Sequence, residues 1–341
     1  MGSKITEIDP RTAPDSLLAE LADYYVVIDD EEIPGDPPMP TAARIANWRK
    51  VTSHYPVIRW VLHDDEGIAG AAVVAYSAEQ NLDNGYGRVH IHPAKRGRGH
   101  GRALSTAMFD HLEAAGRRRF DTMIKKSAPA EDLARRLELK PVYEEKRSRL
   151  LISDLDRALM REWIDRATER AADYGLVYLP SPIPEDMVEA FCALAYVMNT
   201  APREDFEEDD EVLTPESWRE TEATALEGGG QLHNLVALHR PSGDLVGYTQ
   251  INTLELEPDL AWQWDTAVDP AHRNLGLGRW LKAAMIENVV EEFPRVGRVD
   301  TFNAGSNEPM LAINVEMGFR PIHIARAWQG SLATARERLG A

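Results

Sequence analysis

Ile91–Leu104 reads IHPAKRGRGHGRAL, and Val268–Leu281 reads VDPAHRNLGLGRWL. Each runs apolar, polar, Pro, Ala, a basic residue, Arg, two further residues, then Gly-x-Gly, and leads into a segment with Leu and small residues at helical spacing. A strand that ends in such a turn and enters a helix aims unpaired backbone N–H groups at one point. The helix dipole adds positive potential there, and glycine lets an anion approach the main chain. One Gly-x-Gly is a weak signal, explained as well by a tight turn without a ligand. Two copies in the same context predict an internal duplication of a domain that binds an anionic, phosphorylated cofactor. Neither copy completes the Gly-x-Gly-x-x-Gly of a dinucleotide site, because the last position is Leu104 or Leu281. Neither has the Gly-Lys-Ser/Thr of an NTPase loop.

Working outward, the first unit reads as mixed α and β over residues 1–153. Ala13–Tyr25 and Thr41–Val51 have helical periodicity, with Glu31–Pro40 between them as a loop. Val57–His63 and Ile68–Tyr76 form a hairpin across Asp64–Gly67. Tyr86–Ile91 is the strand before the turn, followed by a helix to about Gly116, a strand at Phe120–Lys125, a helix at Glu131–Leu137 and a strand at Val142–Ile152. The second unit, 175–341, repeats this order. Its strands are Val177–Leu179, Leu235–His239, Leu245–Leu254, Ala261–Val268, Val299–Asn303 and Arg320–Ala327. Its helices are Glu185–Asn199, Pro215–Ala225, Gly278–Phe293 and Glu308–Met317. Asp154–Tyr174 is charged with apolar residues at helical spacing and is expected to be a connecting helix.

The 341 residues accommodate two domains of ordinary size. The net charge of −18 argues against a nucleic-acid partner, is compatible with a cationic substrate, and is also ordinary for a soluble protein. The single cysteine, Cys192, excludes a disulfide framework or a Cys-based zinc cluster. No run approaches a membrane span and the start lacks an apolar signal core, so a cytoplasmic, soluble protein is expected. His90 and His92 share a strand face, but no third ligand is placed, and no metal is expected.

Arg96-Gly-Arg-Gly99-His-Gly101 and Arg273-Asn-Leu-Gly276-Leu-Gly278 resemble the Arg/Gln-x-x-Gly-x-Gly/Ala signature of the GCN5-related N-acetyltransferases. Asn307-Glu-Pro-Met310, Asn314 and Met317-Gly-Phe319 are similar to that family's later segment. The resemblance covers most of both units and is to a tandem member, mycothiol synthase being one known type. It implies α/β domains, each with a mixed, mostly antiparallel twisted sheet flanked by helices, and acetyl-CoA as cofactor. The pyrophosphate would sit on the turn, and the pantetheine between splayed parallel strands, Ala261–Val268 and Val299–Asn303. The implied cofactor residues are Val268, Arg273, Asn274, Leu275, Gly276, Leu277, Gly278, Arg279, Asn303 and Asn307. Their counterparts in the first unit are Ile91, Arg96, Gly97, Arg98, Gly99, His100, Gly101 and Arg102.

Acyl transfer to an amine needs a base, polarisation of the thioester carbonyl and protonation of the departing thiolate. Many members of the family place a carboxylate near the strand before the turn. Asp265 stands there, with Gln263 on the same face by period-two spacing and Trp262, Trp264 and Thr266 on the other. A solvated strand aspartate and core tryptophans explain the same residues. The family's thiolate-protonating tyrosine is absent: its place falls on Asn314, or on about Ala134 in the first unit, where the Gly-Phe pair has become Glu138-Leu139. Asn314 can orient the sulfur but cannot donate a proton as a phenol does. The second unit is expected to be the active one, with the first retaining a cofactor site or a structural role, and the reverse assignment stays open. The acidic loop Glu204–Glu211 is expected to wall its acceptor site and to point to an amine-bearing small molecule, an amino-sugar or polyamine, though a solvated loop explains it as well. The competing expectation is a catalytically silent acyl-CoA sensor or scaffold. Either is compatible with a monomer or homodimer.

Overall fold

In the computed structural model, which describes residues 3–227 and 229–340, the chain forms two compact units. Unit 1 comprises Met1–Glu145, Arg203–Asp209 and His323–Ala341; unit 2 comprises Lys146–Pro202 and Asp210–Ile322. In chain order the elements are β1 (Lys4–Ile8), α1 (Asp15–Glu32), α2 (Thr41–Arg49), β2 (Val57–Asp64), β3 (Gly67–Ala75), β4 (Asn84–Ile91), α3 (His100–Ala114), β5 (Arg119–Lys125), α4 (Ala130–Arg136) and β6 (Lys140–Leu151). There follow α5 (Arg157–Arg170), β7 (Tyr174–Leu179), α6 (Glu185–Ala195), α7 (Pro215–Glu227), β8 (Gly230–His239), β9 (Asp244–Leu254), β10 (Glu257–Val268), α8 (Leu277–Glu292), β11 (Arg298–Ala304), α9 (Glu308–Met317), β12 (Arg320–Ser331) and α10 (Leu332–Leu339).

Strand order is β1-β2-β3-β4-β5-β12 in unit 1 and β6-β11-β10-β9-β8-β7 in unit 2. The pairs β4–β5 and β10–β11 are parallel, while β1–β2–β3–β4, β5–β12 and β10–β9–β8–β7 are antiparallel. The expected mixed α/β architecture is therefore present in both units. Each sheet is covered on both faces, as period-two alternation requires. On β2, Trp60 joins the core under α3 with Met108 and Phe109, and its neighbour Val61 joins the core under α1 with Leu18 and Leu21. On β8, Leu235 and Ala237 face α8 and α5, whereas Val236 faces α6 and α7.

The compact units differ from a linear cut at residue 153. The last strand and helix belong to unit 1, where Trp328, Leu332 and Ala335 join the core around Phe109. The segment read as a connecting helix is an integral element of unit 2. Asp156 caps α5 by accepting from the Ala158 and Leu159 N–H groups, and Met160, Trp163 and Ala167 pack with Leu281 and Met285 of α8. Helix α1 runs through the expected start of the loop, because Tyr24 and Ile28 continue the buried stripe of Leu18 and Leu21 before Pro34 intervenes. Strand β1 and helix α10 had no strong pattern in the sequence.

Candidate functional site

In both copies the turn folds as a strand-to-helix junction with two left-handed residues. They are Gly97 and Gly99 in unit 1 and Asn274 and Gly276 in unit 2. Asparagine at 274 is the non-glycine residue that best tolerates this conformation. Gly99 and Gly276 are the N-caps of α3 and α8, and no side chain caps either helix. The first-turn N–H groups therefore face outward without a side-chain acceptor. At Gly278 an added Cβ would meet only Ile313 Cδ1, at 3.7 Å, so internal packing does not demand glycine there. Its use leaves room for a ligand to approach the backbone.

The arginine of the motif has the same internal role twice. Arg96 Nε donates to the Ile91 carbonyl at 3.2 Å, and Arg273 Nε to the Val268 carbonyl at 2.9 Å, clamping the strand end onto the turn. The rest of each guanidinium differs. Arg96 pairs with Glu31, whereas Arg273 donates to Thr200 Oγ1 at 2.8 Å. In unit 1, Asp64 further engages Lys95 at 2.6 Å and lies 3.9 Å from both Arg98 and His100, whose ring is buried. Three carboxylates, Glu31, Asp64 and Glu66, thus stand around the first turn. Arg102 donates to the Gly340 carbonyl and Arg279 to Glu316, so both side chains are engaged within their own units.

Beyond the turn, β10 and β11 pair only from Leu260–Arg298 to Gln263–Thr301, although they continue to Val268 and Ala304. This open end holds Asn303 and Asn314. Asn314 Nδ2 donates to Asn303 Oδ1 at 2.7 Å, and Asn314 Oδ1 is buried without a partner. Asn307 caps α9 through a 3.4 Å hydrogen bond from the Met310 N–H. In unit 1 the parallel pairing ends at Tyr86–Asp121, and Ala134 is simply buried.

The β10 edge facing β9 carries the decisive irregularity. Between the Gln263–Ile251 and Thr266–Thr249 pairs, β10 uses one residue more than β9. In unit 1 the matching β3–β4 register is unbroken from Gly70–Ile91 to Ala75–Tyr86. The extra residue forms a bulge at Trp264–Asp265, which breaks period two and re-aims side chains. It overturns the expectation that Gln263 and Asp265 share a face. Gln263 is buried, its Nε2 donating to the Gln250 carbonyl at 2.7 Å and to Thr249 Oγ1 at 3.1 Å, so it is a sheet-stabilising residue.

Asp265 instead turns to the α6/α7 face, where its carboxylate accepts from Tyr248 Oη at 3.3 Å. Tyr248 belongs to the core of α6 and α7 and packs edge-on against Phe191. Desolvation among these groups raises the Asp265 carboxyl above the ordinary carboxylate range, while the Tyr248 hydrogen bond draws it down. The Asp265 residue itself is solvent-exposed, so an acceptor can reach it. Trp262 stacks on Phe302 at 5.6 Å and 7°, and Trp264 and Phe302 are exposed nearby in sequence register. Tyr248 went unrecognised in the sequence because only the bulge brings it to Asp265.

The acidic loop divides between the two units. Arg203–Asp209 packs with unit 1: Phe206 meets Tyr143 edge-on, the Glu207 N–H donates to Gln329 Oε1 at 2.9 Å, and Glu207 pairs with Arg119 at 2.9 Å. The Asp209 N–H donates to Asn81 Oδ1. These contacts tie residues 203–209 to unit 1, while Asp210 and Glu211 belong to unit 2, where Tyr196 Oη donates to Asp210 at 3.0 Å and Asn199 Nδ2 to the Glu211 carbonyl at 2.8 Å. His90 and His92 also separate: His92 Nδ1 accepts from the Ala94 N–H, while His90 lies against Tyr25. Among the described residues no cluster of three or more His, Cys, Asp or Glu could hold a metal, and no helix is long and apolar enough to cross a membrane.

Residues 197–319 match the family model described as Acetyltransferase (GNAT) family. Among solved structures the chain is similar to a tandem GNAT protein from the clavulanic acid biosynthesis pathway, without acetyl-CoA. That match has 22% identity and a TM-score of 0.79 and covers 97% of this chain and 99% of that one. A GCN5-related N-acetyltransferase from Sphaerobacter thermophilus is similar at 14% identity and TM-score 0.70, covering 96% of each chain. The GCN5-related glucosamine N-acetyltransferase region of a fungal multi-domain GH3 β-N-acetylglucosaminidase follows at 13% and 0.66, with 97% of this chain covered and 38% of that one. At these identities the structural likeness speaks to fold. Comparison with curated proteins finds no match.

Proposed function

The chain carries a GNAT-family acetyltransferase domain within a tandem GNAT fold, and on that premise we propose that unit 2 acetylates a primary amine of a small molecule by direct transfer. The observation that carries this reading is the β10 bulge, which brings an accessible carboxylate to Tyr248 beside the open end of β10 and β11. Acetyl-CoA, when bound, supplies the activated acetyl thioester. The uncapped first turn of α8, with Leu277, Gly278 and Arg279, offers backbone N–H groups to its pyrophosphate. The unpartnered Asn314 Oδ1 beside Asn303 suits a hydrogen-bond donor of the pantetheine arm, amide or thiol.

Asp265 takes the proton from the incoming ammonium. Its raised pKa moves it towards the operating pH, where a general base is most effective. Asn314 and Asn303 position the sulfur, and solvent protonates the thiolate in place of the absent phenol. Unit 1, with carboxylates around its turn and no bulge, is assigned no transfer step. An amine acceptor fits the exposed aspartate, and an amino-sugar is among the candidates.

Thiol release from acetyl-CoA with a panel of amines tests this reading. Asp265→Asn is expected to lower kcat by about 10²-fold or more while leaving acetyl-CoA affinity intact. Gly278→Glu is expected to abolish acetyl-CoA binding, and Gly101→Glu to leave turnover unchanged. Turnover lost in Gly101→Glu but retained in Gly278→Glu would move the chemistry to unit 1. Tight cofactor binding with no turnover across the panel would favour a sensor.

A further inference from the structure

The α6/α7 face of unit 2 presents aromatic side chains that its core does not take up. Ala261 and Val299 pack under α8 and α5, so by period two Trp262, Asp300 and Phe302 stand on the opposite face. Trp262 stacks on Phe302, and the Arg147 guanidinium lies 4.8 Å over the Trp262 ring while it pairs with Asp300 at 2.6 Å. Trp264 follows Trp262 on the same face, and the bulge then turns Asp265 to that face as well, next to Tyr248. An indole and a carboxylate therefore project side by side from consecutive residues, which a regular strand does not allow.

These groups are open to solvent. Trp264 is 42% exposed and Phe302 46%, and the Trp264 side chain has no ring contact, cation contact or hydrogen bond among the described residues. Asp265 is exposed too, yet desolvation raises its carboxyl, the combination shown by a group at the floor of an open concavity. The polar side chains in line with the bulge are spent inside the sheet: Gln250 Nε2 donates to Asn234 Oδ1 at 2.7 Å, and both residues are buried. Counted from the Tyr86–Asp121 pair, the places of Trp264 and Phe302 in unit 1 hold Arg88 and Met123, so the fold does not itself call for aromatics there. What reaches solvent in unit 2 is a carboxylate flanked by aromatic faces.

On the premise that unit 2 is the transferase and Asp265 its base, we infer that Trp264 and Phe302 form a stacking platform that selects the acceptor, a primary amine carried on a flat aromatic body by a short tether. The ammonium pairs with Asp265 and lies within reach of the Trp264 π-face. The aromatic body covers the platform, recovering apolar area and stacking that the free protein leaves in water. Adjacent strands stand about 4.8 Å apart, so a ring on the platform and an ammonium at Asp265 are spanned by about two methylene groups. A polyamine leaves the platform without a ring partner, and an amino-sugar presents hydroxyls where the nearby amides already bond each other.

2-Phenylethylamine is the probe, with glucosamine and putrescine as references. In the thiol-release assay of the full chain, kcat/KM for 2-phenylethylamine is expected to exceed that of either reference by about tenfold or more. Trp264→Ala and Phe302→Ala are each expected to raise its KM by about tenfold, more than they lower kcat, with acetyl-CoA affinity unchanged. Trp264→Phe is expected to recover most of the loss, whereas Asp265→Asn acts on kcat. Titration calorimetry with 2-phenylethylamine in the presence of CoA separates failure of the platform from failure of the transferase. Binding that the Trp264 and Phe302 variants weaken, without turnover of any amine, upholds the platform and removes the transferase. Turnover that favours glucosamine or putrescine, or 2-phenylethylamine kinetics untouched by both variants, overturns the platform and leaves the transferase standing. Reduced acetyl-CoA affinity with an unchanged KM for the amine overturns it as well, since the rings would then hold the cofactor. Absence of both binding and turnover overturns both.

Discussion

Asp121 and Asp300 occupy matching places, each opposite the strand before the turn, through the Tyr86–Asp121 and Trp262–Asp300 pairs. Their surroundings differ. Asp300 is fully buried and accepts from Arg147 at 2.6 Å and from Arg149 at 2.7 Å. Asp121 forms no ion pair with an arginine among the described residues, one carboxyl oxygen is unpartnered, and burial pushes it up to about 7 against the lowering effects of the Gln329 hydrogen bond and the Arg119 charge. A carboxyl held above its ordinary value favours the folded state while protonated. That contribution is complete below about pH 4 and is lost as pH rises through 7. Asp121→Asn is therefore expected to stabilise the protein at pH 8 by ~2–4 kcal/mol in urea unfolding, with the difference fading towards pH 4. Opposite reasoning applies to Asp265 and Tyr248, where the phenol hydrogen bond favours the carboxylate. Tyr248→Phe is expected to raise the Asp265 pKa and to shift the acidic limb of the pH–rate profile to higher pH.

At the scale of elements, the turn and its glycines were legible because they obey local rules: left-handed positions, an uncapped helix start, and an arginine spaced to reach the strand end. The hairpins and most helices were legible for the same reason. Asp265 was found by position, but its face was not, since period two assumes a regular strand and the bulge is fixed by pairing with β9. The Tyr248 contact depends on that pairing and had no sequence signal. The division of the acidic loop between the units was not legible, because composition says nothing of where a segment docks.

For the whole molecule, the consequential feature is that unit 1 is closed by residues 323–341. β12 pairs with β5 from Ala325–Lys125 to Ser331–Arg119, and α10 adds Leu332 and Ala335 to the core. Arg336 pairs with Asp110 and Glu113, and Arg338 with Glu138. Truncation after Ile322 is expected to erase hydrogen-exchange protection in β5 and α3 while β9 keeps its own. Protection of α3 in the truncated chain would disprove this dependence. The same arrangement dictates an order of events at the ribosome. The first half of the polypeptide emerges early but lacks its closing strand until the whole stretch between β5 and β12 has been made, a wait of roughly ten to forty seconds at ordinary elongation rates. During that interval the β5 edge is unpaired, so the growing chain carries an open sheet edge prone to aggregation, and slower translation of the segment between the two strands lengthens the exposure.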